Sequence, residues 1–163
     1  MFAIEATTFS GYGGLRRTDS PKPRAAADRV LVRVTAVGVT PLDHTILSGG
    51  QPRAKAPLVL GNEGVGVVED AGDSGLEIGS RVMFTGPYGV AEGLEDFSLF
   101  AQPPTAIAAA WRAILPLIVG GSVKPVVDRV YSFDEAGEAL RHLIEDRPFG
   151  KVVLAGRSIG AGS

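Results

Sequence analysis

The chain has 163 residues, no cysteine and a formal net charge of -2, which favours one domain with a sizeable core and excludes disulfides and thiolate metal sites. The near-balanced charge gives no sign of a nucleic-acid or anionic-membrane partner. The N-terminus lacks a basic segment before a long apolar run, and no apolar run reaches membrane-spanning length, so the expected location is cytoplasmic, with no membrane partner.

Phe2 to Ala6 alternates weakly and reads as a strand. Ser10 to Gly14, SGYGG, reads as a turn; it is a poor phosphate loop because no helix pattern follows. Residues 18 to 28 hold Pro21 and Pro23 and read as a surface connection. Val30 to Val39 is the first long strand, with Val30, Val32, Val34 and Ala36 on one face and Leu31, Arg33, Thr35 and Val37 on the other. Gly38 to Gly50, GVTPLDHTILSGG, follows as a loop, and residues 51 to 57 form a linker.

Leu60 to Glu69, LGNEGVGVVE, is the centre of the chain. A glycine turn carries the polar pair Asn62 and Glu63 into a valine-rich strand, and Gly61, Gly64 and Gly66 permit tight turning or close approach. Asp70 to Gly79 is loop chemistry, leading to a strand at Ser80 to Phe84 and a turn at Gly86 to Gly89. Thr105 to Val119 has helical spacing at Ile107, Trp111, Ile114, Leu115 and Ile118, with Pro116 expected to kink or cut the last turn. Arg112 is its only charge, so the helix should be covered by its own chain, a second copy or a partner. Val123 to Val130 reads as a strand. Ser132 to Glu145 is the clearest helix, opened by a Ser132–Glu135 capping box and striped by Phe133, Ala136, Leu140, Leu143 and Ile144. Lys151 to Ala155 is the closing strand, and 156–163 reads as a flexible tail.

Among titratable groups, Asp43 beside His44 suits a general acid/base pair. The alternative is that the adjacent side chains diverge, with His44 capping a short helix or facing solvent. Tyr12 and Tyr88 can donate hydroxyls to a carbonyl substrate or simply pack. Glu63 can act in chemistry or tie down backbone groups of its glycine turn. His44 and His142 are too far apart in sequence to suggest a metal pair.

LGNEGVGVVE resembles the GHE motif of medium-chain alcohol dehydrogenases and quinone oxidoreductases. In zinc members the His is a ligand; here that position is Asn62. Thr40 stands where the zinc enzymes place a Cys ligand, and Pro41, Leu42 and Asp43 continue the "x-P-x-D" pattern of the quinone-type branch. Gly79, Arg81 and Val82 fit the next family segment, whereas Glu95, Asp96 and Phe97 depart from it. Val123 to Val130 and Lys151 to Ala155 are similar to the elements that return from the nucleotide-binding domain.

The resemblance implies an α+β, mainly β fold: a GroES-like, partly open β-barrel with a few helices and no Rossmann domain. The expected layout is a single domain over 1–163, with an N-terminal region 1–102, a helix 105–119, a returning C-terminal segment 122–155 and a tail 156–163. It implies a substrate cleft bearing Asp43, His44, Glu63 and Tyr88 as catalytic candidates, and Thr40, Asn62 and Tyr12 as substrate contacts. No zinc is expected, since Thr40 and Asn62 are poor ligands. No nicotinamide cofactor is expected either: the only late glycine-rich run, Ala155 to Gly162, stops where a phosphate-facing helix must begin. Loss of hydride chemistry leaves proton transfer, so the expected function is a cofactor-independent dehydratase, isomerase or cyclase acting on a carbonyl or quinoid metabolite. The alternatives are a half-enzyme that needs a separate NADPH-binding partner, and a non-catalytic ligand-binding protein. Self-association through the Trp111 helix is expected.

Overall fold

The structure is a computed structural model that describes residues 1–25, 29–85 and 104–156, with side chains from residue 109 onward in the last segment. β1 (Phe2–Ala6) and β2 (Leu15–Asp19) form an antiparallel hairpin in the register Phe2↔Asp19 to Ala6↔Leu15. Tyr12–Gly14 makes a 3-10 turn between them, closed by Gly14 N–H donating to Gly11 O at 2.8 Å. β2 takes Thr18 and Asp19 out of the expected surface connection and adds Leu15 to Arg17, for which the sequence offered no element. LRRTD carries little strand signal, but β1 offers it a ladder, and such context overrides propensity.

β3 (Leu31–Val39) runs through Thr40 into α1 (Pro41–Leu47). This short helix, read as loop from the sequence, has its own local logic: proline at its first position, Thr40 as cap and Asp43 three residues on. It buries Ile46 and Leu47 completely. β4 (Leu58–Val59) pairs with β1, and β5 (Glu63–Asp70) and β6 (Arg81–Thr85) continue antiparallel from β3. α2 (Pro104–Val119), β7 (Val127–Ser132), α3 (Ala136–Arg141) and β8 (Lys151–Ala155) complete the described chain.

The strands make two sheets, in the orders β2-β1-β4 and β6-β5-β3-β8-β7. β7 and β8 are parallel; the other pairs are antiparallel. The sheets stay open, with no closed barrel among the described residues. β3 is central: it pairs with β5 on one side and with β8, Ala36↔Ala155 to Val39↔Val152, on the other. Two register shifts in the β3–β5 ladder break the simple two-faced alternation, so Ala36 is buried while Val34 is exposed. Where the strands approach closely, Gly66 is required, since a Cβ there would run into Arg33 O and lie 2.6 Å from Val32 Cγ1. The core gathers Ala6, Val39, Leu47, Ala139, Leu140, Val152 and Leu154 from both sheets, α1 and α3.

The later elements shift the expected boundaries. α2 starts at Pro104 and continues past Pro116 to Val119. A proline removes one intrahelical donor, and here the ladder resumes beyond it with Gly120 N–H donating to Pro116 O at 2.8 Å. β7 begins at Val127 rather than Val123; Pro125, lacking an N–H, precedes the ladder. The Ser132 helix opens on the expected box, with Glu135 Oε2 accepting from Ser132 N–H at 2.8 Å and from Ser132 Oγ–H at 2.6 Å. It then divides into a 3-10 turn (Phe133–Glu135), α3 and a π turn (His142–Asp146), ending at Arg147 with φ of 50°.

α2 is not covered by its own chain among the described residues. Trp111, Ile114, Leu115, Leu117 and Val119 are exposed and Ile118 is half-buried, while the side chain of Ile107 lies outside the described residues. No helix among the described residues is long and apolar enough to cross a membrane.

Candidate functional site

β3 delivers Thr40 to the start of α1, and the turn before β5 delivers Gly61, Asn62 and Glu63 beside it. Asp43 joins the two. Its Oδ2 accepts from Thr40 N–H at 2.7 Å and from Thr40 Oγ–H at 2.8 Å, and its Oδ1 accepts from Gly61 N–H at 3.1 Å. The residue is only 5% exposed. Burial pushes the Asp43 pKa up, the bonds from Thr40 and Gly61 pull against it, and the Glu63 charge adds to the rise.

Glu63 is the more accessible carboxylate, with 34% of its side chain exposed. Lys151 Nζ, at the head of β8, donates to its Oε1 at 2.7 Å. The carboxylate lies across Gly38 of β3, where any Cβ would collide with Glu63 Oε1. Gly38 is therefore the notch through which Glu63 reaches Lys151 over the central strand. Asn62 Oδ1 beside them is buried with no hydrogen-bond partner among the described residues.

His44 sits one residue after Asp43 but turns elsewhere: its Nε2 is 3.1 Å from Ser48 Oγ, and its ring centroid is 5.7 Å from that of Tyr12. Arg141 lies over the Tyr12 ring at 5.1 Å, and burial, then the Glu145 carboxylate, push the Tyr12 hydroxyl pKa up. The structure thus brings Thr40, Asp43, Asn62 and Glu63 together and puts His44 and Tyr12 with α3 and the π turn. Tyr88 lies outside the described residues, as do Glu95, Asp96 and Phe97. Sequence reasoning missed Lys151 and Gly38. The signal for Lys151 was its position at the head of the returning strand; Gly38 gave none until Glu63 was placed over it.

A cleft of about 240 Å³ opens elsewhere, between the β1–β2 hairpin and the start of α3, lined by Ile4, Tyr12, Arg16, Arg17, Phe133 and Glu138 among others. Of the expected site residues that are described, Tyr12 alone lines it. Its charges are mostly engaged: Arg17 pairs with Asp134 at 2.5 Å, and Arg16 donates to the Gly13 and Leu15 carbonyls.

The donor set at Thr40, Asn62 and Glu63 does not fit zinc. It offers a hydroxyl, an amide and a carboxylate already paired with an ammonium, and no group of three His, Cys, Asp or Glu residues able to hold a metal occurs among the described residues. Nor do the described residues fit a dinucleotide, since none of their strands enters a helix through a glycine-rich turn.

Residues 26–102 match the family model of the alcohol dehydrogenase GroES-like domain. The glucose 1-dehydrogenase of Haloferax mediterranei is 37% identical over 91 residues, 54% of this chain and 26% of that enzyme. The quinone oxidoreductase of Escherichia coli, solved in complex with NADPH, superposes with a TM-score of 0.51 at 25% identity, covering 54% of this chain and 28% of that one. The human synaptic vesicle membrane protein VAT-1 homolog-like protein superposes with a TM-score of 0.79 over 98% of this chain and 99% of that one; at 17% identity this is a likeness of fold. These matches define the class, a GroES-like domain of alcohol dehydrogenase type. Through that segment the chain is related to the medium-chain quinone oxidoreductases and alcohol dehydrogenases. It spans about a quarter of the length of the curated relatives it matches.

Proposed function

We propose that the chain is a zinc-independent, quinone oxidoreductase-like substrate domain that binds a carbonyl or quinoid metabolite and acts on it by proton transfer, as a dehydratase, isomerase or cyclase without a nicotinamide of its own. The observation that carries this reading is the Glu63–Lys151 pair beside Thr40 and Asn62. A partly exposed carboxylate can take a proton next to a carbonyl, while the adjacent ammonium favours the enolate that forms. The Asn62 side-chain amide N–H can donate to the substrate oxygen, while the Thr40 hydroxyl proton is held by Asp43. Asp43, deeply buried, holds the β3–α1 corner against the Gly61 turn, His44 and Tyr12 stand apart from the Glu63–Lys151 pair, and Tyr88 is the remaining candidate acid. To test it, incubate the chain with a panel of enolisable ketones and quinols without nicotinamide and follow isomerisation or loss of water by mass spectrometry. Turnover that falls about 10²–10⁴-fold in Glu63→Gln supports the reading. Turnover only when NADPH and a separate nucleotide-binding protein are added replaces it with the half-enzyme reading, which the exposed apolar face of α2 favours as a docking surface. Binding without turnover leaves a ligand-binding protein.

A further inference from the structure

Away from Glu63, His142 stands between two carboxylates. Its Nδ1 is 2.6 Å from Asp146 Oδ2, one turn further along the same helical segment, and its Nε2 is 2.8 Å from Asp128 Oδ2 on β7. The His142 side chain is 11% exposed. A neutral imidazole has one N–H and one bare lone pair, so it satisfies one carboxylate and sets its bare nitrogen against the other. Only the imidazolium donates to both.

We propose that His142 is a proton-operated clasp: protonated, it pins β7 through Asp128 to the helical segment that carries Asp146, and deprotonated, it releases one of them. This inference is independent of the chemistry assigned to Glu63. Among the described residues β7 is the outermost strand of its sheet, paired with β8 alone, so the clasp is a second attachment for an edge strand. The groups that face His142 are Asp128 and Arg129 from β7 and Asp146 from its own turn, with the Tyr131 ring 6.1 Å away. The bonds to Asp128 and then Asp146 hold the His142 pKa above its ordinary value, against partial burial and the Arg129 charge. A histidine whose pKa is raised by folding stabilises fully below its unfolded value of about 6.5 and loses that contribution as pH rises through the folded value. Stability from the clasp is therefore an acid-side and near-neutral property that fades with alkalinity.

The chain has 2 histidines, His44 and His142, so their imidazole NMR signals can be separated with one variant, His142→Gln. The expected result is that His142 titrates above the ordinary histidine range, and that Asp128→Asn moves it back toward that range. Between about pH 6 and pH 9, Tm of the parent should fall more steeply than Tm of His142→Gln, and amide exchange in β7 should quicken beyond the intrinsic pH effect. A His142 that titrates at or below the ordinary value, or that Asp128→Asn leaves unmoved, overturns the clasp. Should His142→Gln fail to fold, the Asp128→Asn titration alone decides.

Discussion

Asp43 in α1 and Glu63 at the head of β5 are neighbouring carboxylates, and burial gives them different roles. Asp43 accepts three hydrogen bonds, two from Thr40 and one from Gly61, so it is a structural anchor. Asp43→Asn would turn an NH₂ toward those donors, and should cost about 1–3 kcal/mol, read as a lower midpoint in urea. Glu63→Gln removes only an exposed pair, worth at most about 1 kcal/mol, so the two variants should differ clearly in stability. Gly66→Ala should destabilise by about 1–3 kcal/mol in the same urea measurement, because Arg33 O and Val32 have nowhere to move within the ladder. The Asn62–Glu63 pair was legible in the sequence, since a glycine turn feeding a valine strand presents whatever polar residues it holds. The partners of Asp43 and His44 were not: neighbours on a helix do not face each other, and the contacts that decide their roles, Gly61 and Ser48, are three-dimensional or one turn away.

At the scale of elements, α2 is the anomaly. Its periodicity made the helix legible, and its lack of charge called for cover, yet its described side chains are exposed along most of its length. Burying each such side chain contributes roughly 1.5–3 kcal/mol, which is ample reason for a second copy to dock there. The chain should sediment as a dimer or larger at micromolar concentration, and Trp111→Glu should return it to monomer; a parent that is already monomeric at high concentration removes this prediction. β2 and α1 were illegible for opposite reasons. β2 has a sequence any loop could carry and exists because β1 is beside it. α1 is too short for a period to show, although its cap and its proline were in plain view.

For the whole molecule, the family was legible from a handful of positions around Leu60 to Glu69, and the match over residues 26–102 bears that out. The GroES-like fold followed from it, whereas the open pair of sheets and the path of the returning segment needed coordinates. With no strand–glycine turn–helix unit among the described residues, the chain alone is expected not to enhance NADPH fluorescence. Saturable enhancement at low micromolar protein would show a nucleotide site and undo the cofactor-free reading.

The place of β8 in its sheet sets the order in which this protein can come into being. β8 begins at Lys151, yet it lies between β3 and β7, and its partner β3 ends at Val39. During synthesis at about 5–20 residues per second, one edge of β3 therefore waits on the order of ten seconds for its neighbour. Through that interval a valine-rich strand leaves the ribosome with unpaired backbone along one side, the template on which nascent chains pair wrongly with each other. A polysome translating this message holds several such edges at once, so slowing translation or adding a holdase chaperone should change the yield of folded protein.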